Sequence, residues 1–233
     1  MQQDAPPQHF DQQVAAAYDR QWAKLAPLRD AVQLLIGALL SDLRSDARIL
    51  CVGAGTGNEI LYLAQRFPQW HFTAVEPAAP MLEVCRRRAE EHGIVSRCKF
   101  HQGYLDSLPP TEEFDAATSL LVSQFILDRA KRVDFFRGIA NRLRPGGYLA
   151  SSDLASAVGS ATYEDLLEMW LRMMRAADVA PDKLERLRVA YSRDVSVLPP
   201  EEVRRIIAAA GFDAPIQFFQ AGLIHGCYAK RTR

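Results

Sequence analysis

The chain carries no surplus of either charge. Lys and Arg together number 28, Asp and Glu together 28, and the formal net charge is zero. Proteins that track a nucleic-acid backbone usually show a cationic excess, so this balance argues against that class of partner. Long hydrophobic runs are missing as well. The longest, Leu34 to Leu40, has seven residues, against roughly 20 for a membrane-spanning helix. The amino end, Met1-Gln2-Gln3-Asp4-Ala5-Pro6-Pro7, lacks the basic-then-apolar pattern of a signal peptide. Cysteine is scarce: Cys51, Cys85, Cys98 and Cys227 show neither metal-ligand spacing nor a disulfide framework. They read as reduced thiols of a cytoplasmic protein, with no metal site. No internal repeat or low-complexity segment interrupts the chain.

What is plentiful is apolar residue, 48% of 233, enough for one sizeable core and too much for disorder. Phe10, Val14, Tyr18 and Trp22 recur every fourth residue, and Leu28, Val32, Leu35 and Leu39 repeat the pattern after Pro27, so two helices precede the first strand. Ile49-Leu50-Cys51-Val52 is a continuous apolar run, expected of a strand covered on both faces. Strand-like and helix-like segments then alternate with short joints. Strands are expected at about 70–75, 98–102, 114–121 and 148–152, with Arg144-Pro145-Gly146-Gly147 ending the helix before the last of these. This is the signature of a doubly wound, mainly parallel α/β sheet. A helical insertion at 154–198 breaks the alternation. A helix from Pro200 to Gly211 and two strands parted by Ala221-Gly222 resume it with an antiparallel hairpin. The expected layout is a helical cover at 1–45, a core at 46–153, the insertion at 154–198, and a last helix and hairpin at 199–233.

Gly53-Ala54-Gly55-Thr56-Gly57 lies where the first strand turns into a helix. Glycine there lets backbone amides approach a ligand. Glu76 closes the second strand, 23 positions after Gly53, where a carboxylate can accept both hydroxyls of a ribose. The dinucleotide fingerprint needs its third glycine one position later, where Asn58 stands, and Glu59 in the first helical turn would oppose a pyrophosphate. S-adenosylmethionine (SAM) has no phosphate and carries a cationic sulfonium, so the loop suits SAM better than NAD.

These residues resemble the class I SAM-dependent methyltransferases. Ile49 to Gly57 is similar to that family's first motif, and Glu76-Pro77 with Pro80-Met81-Leu82 to its second. Phe114 to Ser119 is similar to its fourth-strand motif, Leu143 to Gly147 to the turn before its fifth strand, and Ala210-Gly211-Phe212 with the hairpin to its C-terminal end. The resemblance implies the family's seven-stranded Rossmann-like sheet, with SAM as cofactor. It implies a SAM site of Gly53, Ala54, Gly55, Gly57, Asn58, Glu76, Pro77 and Met81, with Gly103, Tyr104, Leu105, Ser119, Leu120 and Tyr18 completing it. Where the family often has Gly-Asp after the third strand, this chain has Gly103-Tyr104, which leaves adenine to backbone groups or an aromatic contact.

The resemblance implies that the insertion is a substrate lid, in which Trp170, Met173 and Met174, with Trp22 and Gln124, would line an apolar pocket. His225, Tyr18 and Asp153 are the candidate catalytic groups, since methyl transfer needs a base only when the nucleophile must lose a proton. The run Arg86-Arg87-Arg88 reads as a solvated helix face. Gln124-Phe125 resembles the carboxymethyl-SAM synthases of tRNA wobble modification, which keeps that activity open beside methylation of a small, partly apolar metabolite. A non-catalytic SAM-binding module is the third reading. Monomer and homodimer both remain open.

Overall fold

The computed structural model describes residues 23–110 and 113–232. The expected first helix, with Tyr18 and Trp22, lies outside the described residues. Helix α1 (Ala26–Leu39) carries Pro27 in its first turn, where its missing N–H costs nothing. Its buried row is Val32, Ile36 and Leu40, while Leu35 is exposed. Leu34-Leu35-Ile36 offers two helical rows of similar hydrophobicity, and the sheet takes the one through Ile36 instead of the expected row through Leu35.

Seven strands follow: β1 (Arg48–Val52), β2 (His71–Glu76), β3 (Cys98–Gln102), β4 (Phe114–Leu120), β5 (Leu143–Leu154), β6 (Ile216–Ala221) and β7 (Ile224–Lys230). Their order in the sheet is β3-β2-β1-β4-β5-β7-β6. The first five pair in parallel, and β7 joins β5 and β6 antiparallel. Helices α1, α2 (Asn58–Arg66) and α3 (Ala79–Glu91) cover one face, where Ile36, Ile60, Leu63, Leu82 and Phe72 share a core. Helices α4 (Arg129–Ala140) and α7 (Pro200–Ala209) cover the other, packing Phe136, Ile139, Ile206 and Ile207 on Leu50, Ala117 and Leu149. The central strands are apolar on both sides because both sides are covered. Among the described residues no helix is long and apolar enough to cross a membrane.

The fifth strand differs from expectation. It starts at Leu143, and Arg144 to Gly147 is a bulge inside it, between the pairs Phe114–Leu143 and Ala116–Tyr148. The bulge is held by Gly146 N–H to the Arg231 carbonyl and Arg231 N–H to the Gly147 carbonyl. The buried Asp115 beside it accepts from Arg48 N–H at 2.7 Å and pairs with Arg144 Nη1 at 2.7 Å. This knot anchors the amino end of β4, opposite the end where ligands of such sheets bind. The hairpin turn is Gly222-Leu223, one residue beyond the expected Ala221-Gly222.

The insertion forms α5 (Ala161–Ala176) and α6 (Pro181–Arg193). Ser160 caps α5 by accepting from Tyr163 N–H at 3.1 Å. Tyr163, Leu167, Trp170, Met174, Leu184 and Tyr191 close on one another and on Leu154, Leu223 and Ile224. Trp170 Nε1 donates to the Tyr191 hydroxyl at 3.0 Å.

Candidate cofactor site at the carboxyl ends of the strands

The carboxyl ends of β3, β2, β1 and β4 lie side by side, which brings together the glycine loop, Glu76, Gly103 to Leu105, and Ser119 with Leu120. The loop leaves β1 with Gly53 and Ala54 N–H both on the Val75 carbonyl, at 2.8 and 3.2 Å. Gly53 and Gly57 are left-handed, with φ of 72° and 80°. A Cβ on Gly53 would overlap Val122, and one on Gly57 would lie 2.5 Å from Cys85 Sγ. These glycines are required by the backbone and its neighbours alike. Met81, buried in the first turn of α3, has its Cε beside Gly55.

Glu76 joins the loop to the turn after β2. Its Oε2 accepts from Gly55 N–H and its Oε1 from Ala78 N–H, both at 2.9 Å. The side chain is 8% exposed. Burial raises its pKa, and the two N–H bonds oppose that rise. Each carboxylate oxygen accepts about two hydrogen bonds, so acceptor capacity remains on both. Pro77 follows directly in the turn to α3.

Gly103 N–H donates to the Glu76 carbonyl at 3.1 Å, which fixes the end of β3 against β2. Ser107 Oγ donates to the Tyr104 carbonyl at 2.7 Å and sits 2.8 Å from His101 Nε2. The hydroxyl hydrogen is thus engaged, so His101 is the donor of that second contact. Leu105 turns into the core under α4. Ser119 lies on the α4 face, fully buried, its hydroxyl without a partner among the described residues, and Leu120 packs toward the other face.

Glu59 is buried in the first turn of α2, and its pKa is pushed up to about 7, by burial first and then by Glu76, while Arg88 and its own N–H pull it down. A carboxyl group therefore occupies the helix end that a pyrophosphate would need.

Residues 49–147 match a protein-family profile described as a methyltransferase domain. Residues 49–147 are a methyltransferase domain. SAM is the methyl donor that the family implies. Over 180 residues the chain is 29% identical to trans-aconitate 2-methyltransferase of Streptomyces coelicolor, covering 77% of this chain and 55% of that one. It is 22% identical to carboxy-S-adenosyl-L-methionine synthase of Campylobacter hominis, covering 87% and 86%. The solved CurJ carbon methyltransferase matches with a TM-score of 0.69 at 13% identity, over 97% of this chain and 60% of that one, a likeness of fold. The chain spans between about a fifth and about half of the length of the first curated relatives it matches.

Around this methyltransferase domain, several expected site residues have other engagements. Asn58 Oδ1 accepts from Arg88 Nη2 at 3.1 Å, and its Nδ2 donates to Thr56 Oγ1 at 3.1 Å. Arg88 is therefore no solvated charge: it continues the buried row of Met81 and Cys85 at helical spacing, which was the signal available in the sequence. Gln124 is 5% exposed and its Oε1 accepts from Leu154 N–H at 2.6 Å, so it braces β5 in place of lining an open pocket. Trp170 and Met174 are buried in a cluster that the insertion shares with Leu154, Leu223 and Ile224, with Met173 packed against it. Their helix turns the Trp-Met stripe inward because Tyr191 and Leu184 face it.

Asp153 is 2% exposed and pairs with the fully buried Arg132, Nη2 to Oδ1 at 3.2 Å. Ser123 Oγ donates to the same Oδ1 at 2.7 Å, and Arg132 Nη1 donates to the Ser196 carbonyl at 3.1 Å. Sequence reasoning missed Arg132, because an arginine in a helix of mixed polarity carries no mark of burial. His225 pairs with Asp153 across β5 and β7. It lines a cavity of about 20 Å³ with Arg204, Gln217 and Cys227. Its pKa is lowered by burial and by Arg204. Burial raises the thiols, Cys85 and Cys227 to about 12 and Cys98 to about 11, so none is poised as a nucleophile.

Proposed function

We propose that the chain is a SAM-dependent methyltransferase acting on a small, partly apolar organic acceptor. The observation that carries this reading is the Glu76 carboxylate, clamped by Gly55 and Ala78 N–H with acceptor capacity left for two ribose hydroxyls. Met81 beside Gly55 gives adenine an apolar wall, and Gly103 to Leu105 offers backbone groups at its edge. Bound SAM supplies an electrophilic methyl group on a cationic sulfur. The protein's task is then alignment of the acceptor with that group and exclusion of water. Charge neutrality and relatives named for trans-aconitate and erythromycin support a small acceptor. Of the three candidate catalytic groups, Asp153 is tied to Arg132 and Tyr18 lies outside the described residues. His225 is the remaining group that can accept a proton where the acceptor must lose one.

Thermal melts with SAM and with NAD test the cofactor, since a ligand stabilises only the state it binds. SAM should raise the melting temperature, and stabilisation by NAD alone would refute the reading. Glu76→Ala should weaken SAM binding by about 1–3 kcal/mol, the worth of hydrogen bonds to a charged group. Titration calorimetry on both proteins measures it, and equal affinities would remove Glu76 from the ribose site.

A carboxymethyl-SAM synthase activity is the second reading. It is favoured by the relative of that name, which matches 87% of this chain and 86% of its own length. The Gln124-Phe125 pair no longer supports it, because Gln124 is engaged with Leu154 and Phe125 is 46% exposed. Mass spectrometry of the ligand retained on purification separates the two: a carboxymethyl adduct supports the synthase, plain SAM or its demethylated product the methyltransferase.

A further inference from the structure

We propose that Arg88 is a positioning residue for the cofactor: a strut from α3 that holds the glycine loop in its ligand-binding shape. The inference rests on the SAM reading of that loop. Arg88 Nη1 donates to the Thr56 carbonyl at 3.1 Å and lies 3.3 Å from Thr56 Oγ1, while Nη2 reaches Asn58 Oδ1 at 3.1 Å. Asn58 Nδ2 closes the ring on Thr56 Oγ1 at 3.1 Å. One planar guanidinium therefore fixes the residue between Gly55 and Gly57 and the residue that opens α2.

Few other groups could do this. Gly55 and Gly57 are both left-handed and, lacking side chains, have the widest conformational freedom of any residue. Gly57 also serves as the residue before α2 without any side-chain cap. Between them only Thr56 offers a handle. Its buried hydroxyl and carbonyl face Arg88 from α3, the helix that also brings Met81 to Gly55 and Cys85 to Gly57. The loop is thus fixed from one side by Glu76 on Gly55 N–H and from the other by Arg88 on Thr56. Arg88 touches no ligand in this scheme. It lowers the ordering that binding must otherwise supply, which is where preorganisation gains affinity. Lysine carries its three donors on a single nitrogen and lacks the planar fork that spans the Thr56 carbonyl and the Asn58 carboxamide together.

Arg88→Gln and Arg88→Lys should each weaken SAM binding about tenfold by titration calorimetry, on the scale of one charge-assisted hydrogen bond. Combined with Asn58→Ala, Arg88→Gln should lose less than the product of the two single losses, because both act on the same ring. Tyr191→Phe, which removes the Trp170 partner in the distant insertion, serves as the control for lost stability. It should lower the melting temperature of the ligand-free protein without weakening SAM binding. Unchanged SAM affinity in Arg88→Gln, with affinity lost in Glu76→Ala, overturns the strut and leaves the site. Unchanged affinity in Glu76→Ala overturns the ribose reading instead. A loss in Tyr191→Phe as large as in Arg88→Gln shows that the effect is general destabilisation and also overturns the strut.

Discussion

Replacing Arg132 by Met is expected to destabilise the fold by about 3–5 kcal/mol, the range for stranding one member of a buried ion pair. Arg132 is fully buried between α4 and β5, and its guanidinium reaches Asp153, Ser123 and the Ser196 carbonyl together. Without it the Asp153 carboxylate keeps Ser123 but has no counter-charge. Burial already raises the Asp153 pKa, and Arg132 is the main force holding it down. The variant escapes part of the penalty by protonating Asp153, so its loss should be greater at pH 8 than at pH 5. Adding Asp153→Asn removes the buried charge and should restore most of the stability, since a neutral pair has no ion to desolvate. Urea denaturation of the two single variants and the double variant reads all three values. A loss below about 1 kcal/mol for Arg132→Met would mean that the pair is solvated and the geometry wrong.

Glu59→Gln should stabilise the protein, by an amount that grows as pH rises from about 4.5 to about 7 and then levels off. The Glu59 pKa rises from 4.5 to about 7 on folding. Below pH 4.5 both states carry the proton and nothing is lost. Between 4.5 and 7 the unfolded chain releases its proton first, the folded state binds more, and stability falls as pH rises. Above 7 the loss is complete, about 3 kcal/mol at 1.36 kcal/mol per unit. A glutamine cannot ionise, so at pH 8 the variant should melt roughly 6–12 °C higher, by the usual scaling for a chain of this size. The advantage should vanish near pH 4. Parallel stability profiles for the two proteins between pH 4 and 8 would show that Glu59 titrates as an exposed carboxyl does.

Neither the burial of Arg132 nor that of Glu59 was legible in the sequence, and the reason is physical. The strand and helix alternation, the glycine loop and Glu76 are local signals. A continuous apolar run, a left-handed turn or an acid at a strand end is written in consecutive residues, and the structure places these where expected. The choice between Leu35 and Ile36 on α1, the inward turn of Trp170 and the burial of Arg132 depend on which neighbour arrives from far along the chain. Gln124 is the instructive case. Its position after β4 marks the working end of the sheet, but its side chain meets Leu154 N–H from a strand 30 residues away. No local pattern distinguishes a carboxamide that binds a ligand from one that braces a strand.

The position of β7 sets an order of events during folding. It lies between β5 and β6, yet it follows every other strand in the chain. β5 therefore waits with one edge bare, through the whole of the insertion and α7, until residues 224–230 have been synthesised. Over that interval the parallel half can assemble from its short crossovers, while the antiparallel half has no partner to pair with. An exposed strand edge of this kind is a template for pairing with another chain. Chains stopped between β5 and β7 are expected to aggregate more readily than the full chain, through the bare edge of β5.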